Sequence, residues 1–239
     1  REVRGALVGF ADASLEGKNL VPWRSYRLGR GQVLELGAVK QGRAAYLAVA
    51  GGFDLPPLLG SRSTCPRAGL GTRLAAGTIL SLCPADAPDT PELRLPDPPC
   101  WNIGTLRVLE GPEMGRMTRK AQEDFFAATW VVSSDADRMG LRLDGPALSL
   151  GTQAEIESAG LVRGCIQLPG DGRPILLLAD HQTTGGYPRV ACVITADLPL
   201  AGRLAPGCSV RFASVTWQEA RAALDERDAA FKALLASIQ

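Results

Sequence analysis

Apolar and polar positions follow two regimes along the chain. Between residues 33 and 82 the apolar positions come in short runs, 33–36, 44–50 and 79–82, partly alternating and partly β-branched, with Gly and Pro between them. Such runs predict short strands joined by turns. Residues 83–99 carry six prolines, which remove backbone donors and disfavour helix, so this segment reads as a linker. Beyond it the pattern predicts a strand over 106–110, a helical turn around 120–128, a strand from 130, and a series of strands from about residue 160. Residues 165–168 and 175–180 are separated by the turn former Pro-Gly-Asp-Gly-Arg-Pro (169–174), which predicts a hairpin. Further strands are expected over 190–195 and 209–215. The tail changes period: Thr216 and Glu219 have capping-box spacing, and Ala220, Ala223, Leu224, Phe231, Leu234, Leu235 and Ile238 recur at helical spacing. A C-terminal amphipathic helix follows, with its apolar stripe expected to face a core.

The fold class expected is therefore mainly β, with two domains, residues 1–95 and 103–239. Residues 73–82 echo 203–212 at an offset of 130, as two related β-barrel-like halves would produce. The chain has no initiator Met and opens within what reads as a strand, so upstream residues are expected.

Composition narrows the function. Against 26 Lys and Arg stand 25 Asp and Glu, a net charge of +1, which supplies no general attraction for nucleic acid or an anionic membrane. No apolar run approaches the roughly 18 residues of a membrane span, and no signal-type region opens the chain. A soluble, cytoplasmic protein is expected. The six cysteines (65, 83, 100, 165, 192 and 208) form no C-x-x-C pair, so reduced thiols and no metal site are expected. His181 is the only imidazole, without a G-x-S-x-G elbow beside it; the phosphate-binding P-loop and the full G-x-G-x-x-G fingerprint are also missing from the sequence.

Two loops concentrate glycine with polar groups. In 51–64, Arg62 stands among Ser61, Ser63 and Thr64, a set that suits a carboxylate or phosphate; the bland reading is a surface turn satisfying its own backbone. The second loop, 180–188, leaves the very apolar run 175–179 and carries Asp180, His181, Gln182, Thr183, Thr184, Gly185, Gly186 and Tyr187. Glycine lets backbone N–H groups approach a ligand, and Asp180 is a candidate base or N–H acceptor. Alternatively Asp180 caps a turn and His181 is simply exposed. Asp171 reads as a turn former or as a site carboxylate. Together the loops suit a small amide, ureido or carboxylate compound.

The motifs L-A-V-A-G-G-F-D-L-P-P-L-L-G-S-R-S-T (47–64) and Q-L-P-G-D-G-R-P-I-L-L-L-A-D-H-Q-T-T-G-G-Y-P-R-V-A-C-V-I (167–194) resemble the KipA family, also described as the KipI antagonist, allophanate hydrolase subunit 2, the biotin-dependent carboxyltransferase-like family and the C subunit of ATP-dependent 5-oxoprolinase. The resemblance extends over nearly the whole chain. It departs at the N-terminus, where a T-T-V-Q-D-x-G-R-like motif is missing, and in the glycine-rich stretch 67–78, which is shorter than usual. It implies two cyclophilin-like β-barrel domains, and as partners a KipI-like B subunit together with a LamB/YcsF-like A subunit. The activity implied is lactam opening of 5-oxoproline to glutamate, with ATP held on this chain or on its partner. The alternatives are a carboxyltransferase component of a urea carboxylase-type system, with biotin on a separate carrier, and a non-catalytic antagonist of a KipI-type kinase inhibitor. None of Lys18, Lys40, Lys120 and Lys232 sits in an M-K-M biotin motif. Both chemistries need donors where charge develops on an amide oxygen. On the matched motifs the expected catalytic residues are Asp180 and Arg62, with Ser63, Thr64, Gln182, Thr183, Thr184, Gly185, Gly186 and Tyr187 binding substrate.

Overall fold

The computed structural model describes residues 3–71, 73–85, 92–96, 104–151 and 156–238. Cys100 and much of the proline-rich segment lie outside them. The chain divides into two units, Arg1–Pro98 with Ile238–Gln239, and Pro99–Ser237.

In the first unit, strand β1 (Val3–Leu15) is the spine of an open antiparallel sheet with β2 (Lys18–Asn19), β3 (Arg24–Leu28) and β4 (Leu34–Val49). β3 and β2 pair with successive parts of one edge of β1, while β4 runs along the other from Gly5↔Val49 to Leu15↔Leu34. Register shifts between Val8 and Ala13 bend the ribbon. The runs expected as separate strands at 33–36 and 44–50 are thus one strand of 16 residues, because β1 offers a partner along its whole length. The run 79–82 forms no strand, only a bridge from Leu82 to Phe53, and Ile79 is 91% exposed. Alternation without a neighbouring edge does not make a strand. The sequence echo consequently joins a strand in the second unit to irregular chain in the first, whose sheet is an open half-barrel.

A tight turn closes the glycine-rich loop: Leu58 and Ser61 exchange both backbone bonds (2.8 and 3.0 Å), with Leu59 at φ 49° and Gly60 at φ 78°. Two successive positive φ angles are those of a type I′ turn, which favours Asn-Gly. Leu59 is 87% exposed, so its side chain gains no burial against that strain. Leu59→Asn is expected to stabilise the protein by about 0.5–1 kcal/mol, read as a higher denaturant midpoint; a lower midpoint would contradict the assignment.

The second unit is a closed seven-stranded barrel. Its strands are β5 (Thr105–Glu110), β6 (Trp130–Val132), β7 (Gly140–Asp144), β9 (Cys165–Gln167), β10 (Ile175–Leu177), β12 (Arg189–Val193) and β13 (Ser209–Ser214), while β8 (Ala159–Gly160) and β11 (Thr184–Gly185) form a separate two-stranded pair. Around the barrel the order is β10-β7-β6-β13-β5-β12-β9. All barrel pairings are antiparallel except β13 with β5. The expected hairpin 165–180 is present as β9 and β10. Inward positions alternate along each strand: Leu106 and Val108, Trp130 and Val132, Leu141 and Leu143, Ile166, Leu176, Ala191 and Val193, Val210 and Phe212 are all buried. Helix α1 (Arg119–Ala127) adds Phe125 to this core, stacked on Phe212 with centroids 4.9 Å apart, and Trp130 donates to the Phe125 carbonyl (3.1 Å).

The short helix α2 (Leu198–Ala201) follows Asp197, a buried carboxylate that Arg107 holds in a fork (2.6 and 3.1 Å). Helix α3 (Trp217–Ala236) starts at the expected capping box of Thr216 and Glu219. Only its first part meets a core: Ala220 and Ala223 pack with Leu109, Ile194 and Ala196. Phe231, Leu235 and Ile238 are about half exposed, so the expectation that the whole stripe is core holds only for its beginning. No helix among the described residues is long and apolar enough to cross a membrane.

Candidate functional site

Strand β9 has two faces. Ile166 enters the barrel core, while Cys165 and Gln167 point to the opposite, outer face. That face is covered by the pair β8–β11: Leu161 packs on Cys165, Leu177 and Ile175, and its N–H donates to the Thr183 carbonyl (2.9 Å), continuing the ladder Thr184↔Gly160 and Gly185↔Ala159. Ile156 N–H donates to the Gly186 carbonyl (2.9 Å). The loop 180–188 is therefore a covering arm laid over the outside of the barrel.

Each predicted residue of this loop has a place. Asp180 stands at its entrance, where Arg138 donates to both carboxylate oxygens (Nη2 to Oδ1 3.0 Å, Nε to Oδ2 2.8 Å) while Asp180 N–H donates to the Arg138 carbonyl (2.9 Å). Both oxygens being engaged, Asp180 anchors the loop. His181 Nδ1 lies 2.6 Å from the Gln182 carbonyl; a carbonyl only accepts, so Nδ1 is the donor of this bond. Gln182 Nε2 donates to Oε1 of Gln167 (3.3 Å), and Gln167 Nε2 donates to the Tyr187 carbonyl (3.3 Å). Thr183 and Thr184 are exposed, Gly185 and Gly186 half-buried, and the Tyr187 ring is exposed beside them. Asp171 is a turn former, with Oδ1 accepting from Arg173 N–H (3.1 Å).

Behind the loop, Arg189 at the start of β12 forks onto Glu113 (Nε to Oε2 2.9 Å, Nη2 to Oε1 2.8 Å), gives Glu113 Oε2 its own N–H (2.9 Å), and donates through Nη1 to the Gly160 carbonyl (3.2 Å). One guanidinium thus ties the barrel, the turn before α1 and the covering pair. The Arg189 guanidinium holds the Glu113 carboxyl below its ordinary 4.5. A carboxyl depressed on folding stabilises fully above its unfolded value and loses that contribution as pH falls through the folded one. Arg189→Leu is therefore expected to lower stability at pH 7 by about 2–3 kcal/mol, under the roughly 3–5 of a fully enclosed pair, with the difference from wild type shrinking below pH 4.5. Denaturant midpoints at pH 7 and pH 3 read this; a difference independent of pH would contradict it.

Cys165 and Cys192 are direct cross-strand neighbours of β9 and β12. Burial pushes the Cys165 thiol up to about 12 and that of Cys192 upward as well. Thiolates are the reactive form, so both act as packing groups.

The other predicted loop belongs to the first unit. Arg62 Nε donates to the Leu55 carbonyl (2.8 Å) and Ser63 N–H to Ser61 Oγ (3.1 Å), so part of this polar set braces the turn itself. Arg62, Ser63 and Thr64 are exposed.

Sequence reasoning missed Gln167, Glu113, Arg138 and Arg189. Gln167, 1% exposed, left a signal: an amide inside an apolar strand demands partners. Glu113 and Arg189 are separated by 76 residues, which no local pattern reveals.

Residues 2–214 match the family model described as carboxyltransferase domain, subdomain A and B. The chain is 37% identical to the 5-oxoprolinase C subunit of Escherichia coli strain K12, with 89% of this chain and 70% of the relative covered. It is 36% identical to the 5-oxoprolinase C subunit of Haemophilus influenzae, covering 88% and 69% respectively. Among solved structures, the urea carboxylase of Kluyveromyces lactis superposes with a TM-score of 0.86 at 26% identity, over 98% of this chain and 23% of that much larger one.

Proposed function

Since the chain belongs to the carboxyltransferase family of subdomains A and B, we propose that it is the C subunit of an ATP-dependent 5-oxoprolinase, an amide hydrolase that works with a KipI-like B subunit plus a LamB/YcsF-like A subunit. The observation that carries this reading is its sequence identity with two bacterial C subunits over most of both chains. In the reaction, water adds to the lactam carbonyl, the ring C–N bond breaks and the nitrogen takes up a proton, giving glutamate while ATP is hydrolysed. Amide resonance makes that carbonyl unreactive, so the demand on the protein is to hold the flat lactam and to meet charge developing on its oxygen.

The second unit supplies groups suited to this. The Thr183 and Thr184 hydroxyls and the Gly186 backbone N–H are donors on a covering arm fixed by Arg189, Asp180 and Gln167 and by the pairing of Gly185 with Ala159, and Gln182 presents an amide to the ligand. Arg62, Ser63 and Thr64 form a further anion-binding loop on the first unit, suited to a carboxylate or phosphate. No P-loop accompanies them, so ATP is held by a non-standard loop here or on a neighbouring chain of the complex. The test is 5-oxoproline-dependent ADP release by the chain purified with its two partner proteins. Release should need all three, and undiminished release without this chain would reject the proposal.

A second reading is favoured by the fold match to urea carboxylase: a carboxyltransferase component that takes carboxyl from biotin borne on a separate carrier and passes it to a ureido nitrogen. Carboxyl exchange with free carboxybiotin would distinguish it from lactam hydrolysis.

A further inference from the structure

The hydrogen bonds behind the covering arm form a one-way chain. The Tyr187 carbonyl can only accept, so the Gln167 atom facing it at 3.3 Å is the amide nitrogen. Gln167 must then turn its Oε1 to the other side, where it meets the Gln182 side chain at 3.3 Å. An amide oxygen can only accept, so Gln182 faces it with Nε2 and carries its own Oε1 away from Gln167. Flipping Gln182 alone would set two oxygens against each other, and flipping both would set the Gln167 oxygen against a backbone carbonyl. Gln167 is 1% exposed, so water does not relieve either mismatch, and an unmatched buried amide is costly. Among the described residues Oε1 of Gln182 has no protein partner, and Gln182 is half-buried.

We propose that Gln167 acts as a positioning residue that locks the Gln182 amide with its oxygen outward, and that the site consequently takes ligands bringing an N–H, a secondary lactam or a ureido group, over isosteric compounds with an acceptor there. This rests on residues 182–187 being the amide-binding loop. A site built to bond an N–H rejects the analogue lacking it, because the site's own polar group is left unpaired.

The experiment compares 5-oxoproline with its lactone analogue, 5-oxotetrahydrofuran-2-carboxylate, in which oxygen replaces the ring N–H at nearly the same size. Affinity for the chain in its assembled complex is measured by competition. The wild type is expected to prefer the lactam by about 10-fold or more. Gln167→Met, which frees Gln182 to flip, is expected to bring the ratio below about 3-fold. Gln167→Glu below its burial-raised pKa reproduces the same donor and acceptor and is expected to retain the preference. An unchanged ratio in Gln167→Met overturns the proposal while leaving the amide-binding loop intact; binding of neither compound by the wild type overturns both. Should Gln167→Met fail to fold, the wild type still decides: the Gln182 side-chain NH2 should exchange with solvent at least 10-fold more slowly than a free glutamine amide, and free exchange refutes the lock.

Discussion

Gly111→Ala is expected to be among the most damaging single-methyl additions in the barrel, costing about 3 kcal/mol or more. A Cβ at this position would overlap the Arg189 carbonyl oxygen and lie 2.7 Å from the Val190 carbonyl carbon. Both obstacles are backbone, so no rotamer change relieves the clash. Gly111 N–H also donates to the Val190 carbonyl (2.8 Å) at the end of the β5–β12 ladder, and separating the two strands there breaks the ladder that carries Arg189. The fork onto Glu113 and the bond to Gly160 go with it, so the covering arm loses its brace together with the barrel's stability. Gly115→Ala is the control: nothing lies within 4 Å of its Cβ position, and its effect should stay within about 0.5 kcal/mol. Equal denaturant midpoints for the two variants would mean that β5 and β12 do not approach as described.

The second large effect is on the site. A Cβ on Gly185 would meet Leu161 Cδ1 at 2.9 Å, Gln167 Nε2 at 3.1 Å and Gln182 Nε2 at 3.5 Å. Leu161 can rotate away, but Gln167 is buried and tied to Tyr187, so the added methyl pushes the arm outward and strains the paired amides. Gly185→Ala is expected to cost about 1–2 kcal/mol and to lower kcat/KM of the assembled enzyme by at least about 10-fold. Gly160→Ala lies on the partner strand with open space at its Cβ position and should change kcat/KM by less than about 3-fold. A Gly185→Ala enzyme as active as Gly160→Ala would remove the arm from the chemistry.

The legibility of these features in the sequence followed their range. The start of α3 could be read because a capping box lies within four residues, and the β9–β10 hairpin because its turn residues fix backbone angles locally. Barrel strands showed themselves through inward alternation, which burial enforces. The first unit read less well: its sheet follows the long pairing of β1 with β4, and among its described residues only Gly5, Leu7, Gly9 and Ser25 are buried, so hydrophobic periodicity had little to act on. At the site, the sequence indicated which residues the loop 180–188 would offer but not what they would touch. Asp180 read as a base or an N–H acceptor, and what the sequence left out is Arg138, 42 residues away, which forks onto it. Gln167 was in view as a polar residue in an apolar strand, yet its meaning depends on Tyr187 and Gln182 arriving from a loop 15 to 20 residues later. Ion pairs and amide chains of that range are set by the closed barrel, and a one-dimensional pattern carries no record of them.

The account stands on the arm over β9 being where the amide compound binds. A titration of the isotopically labelled chain, in its complex, with 5-oxoproline tests this residue by residue through amide resonances. Shifts centred on Gln182, Thr183, Gly185 and Gly186 and on the side chain of Gln167 are the result predicted; saturable shifts confined to other parts of the chain, with this group unmoved, would contradict it.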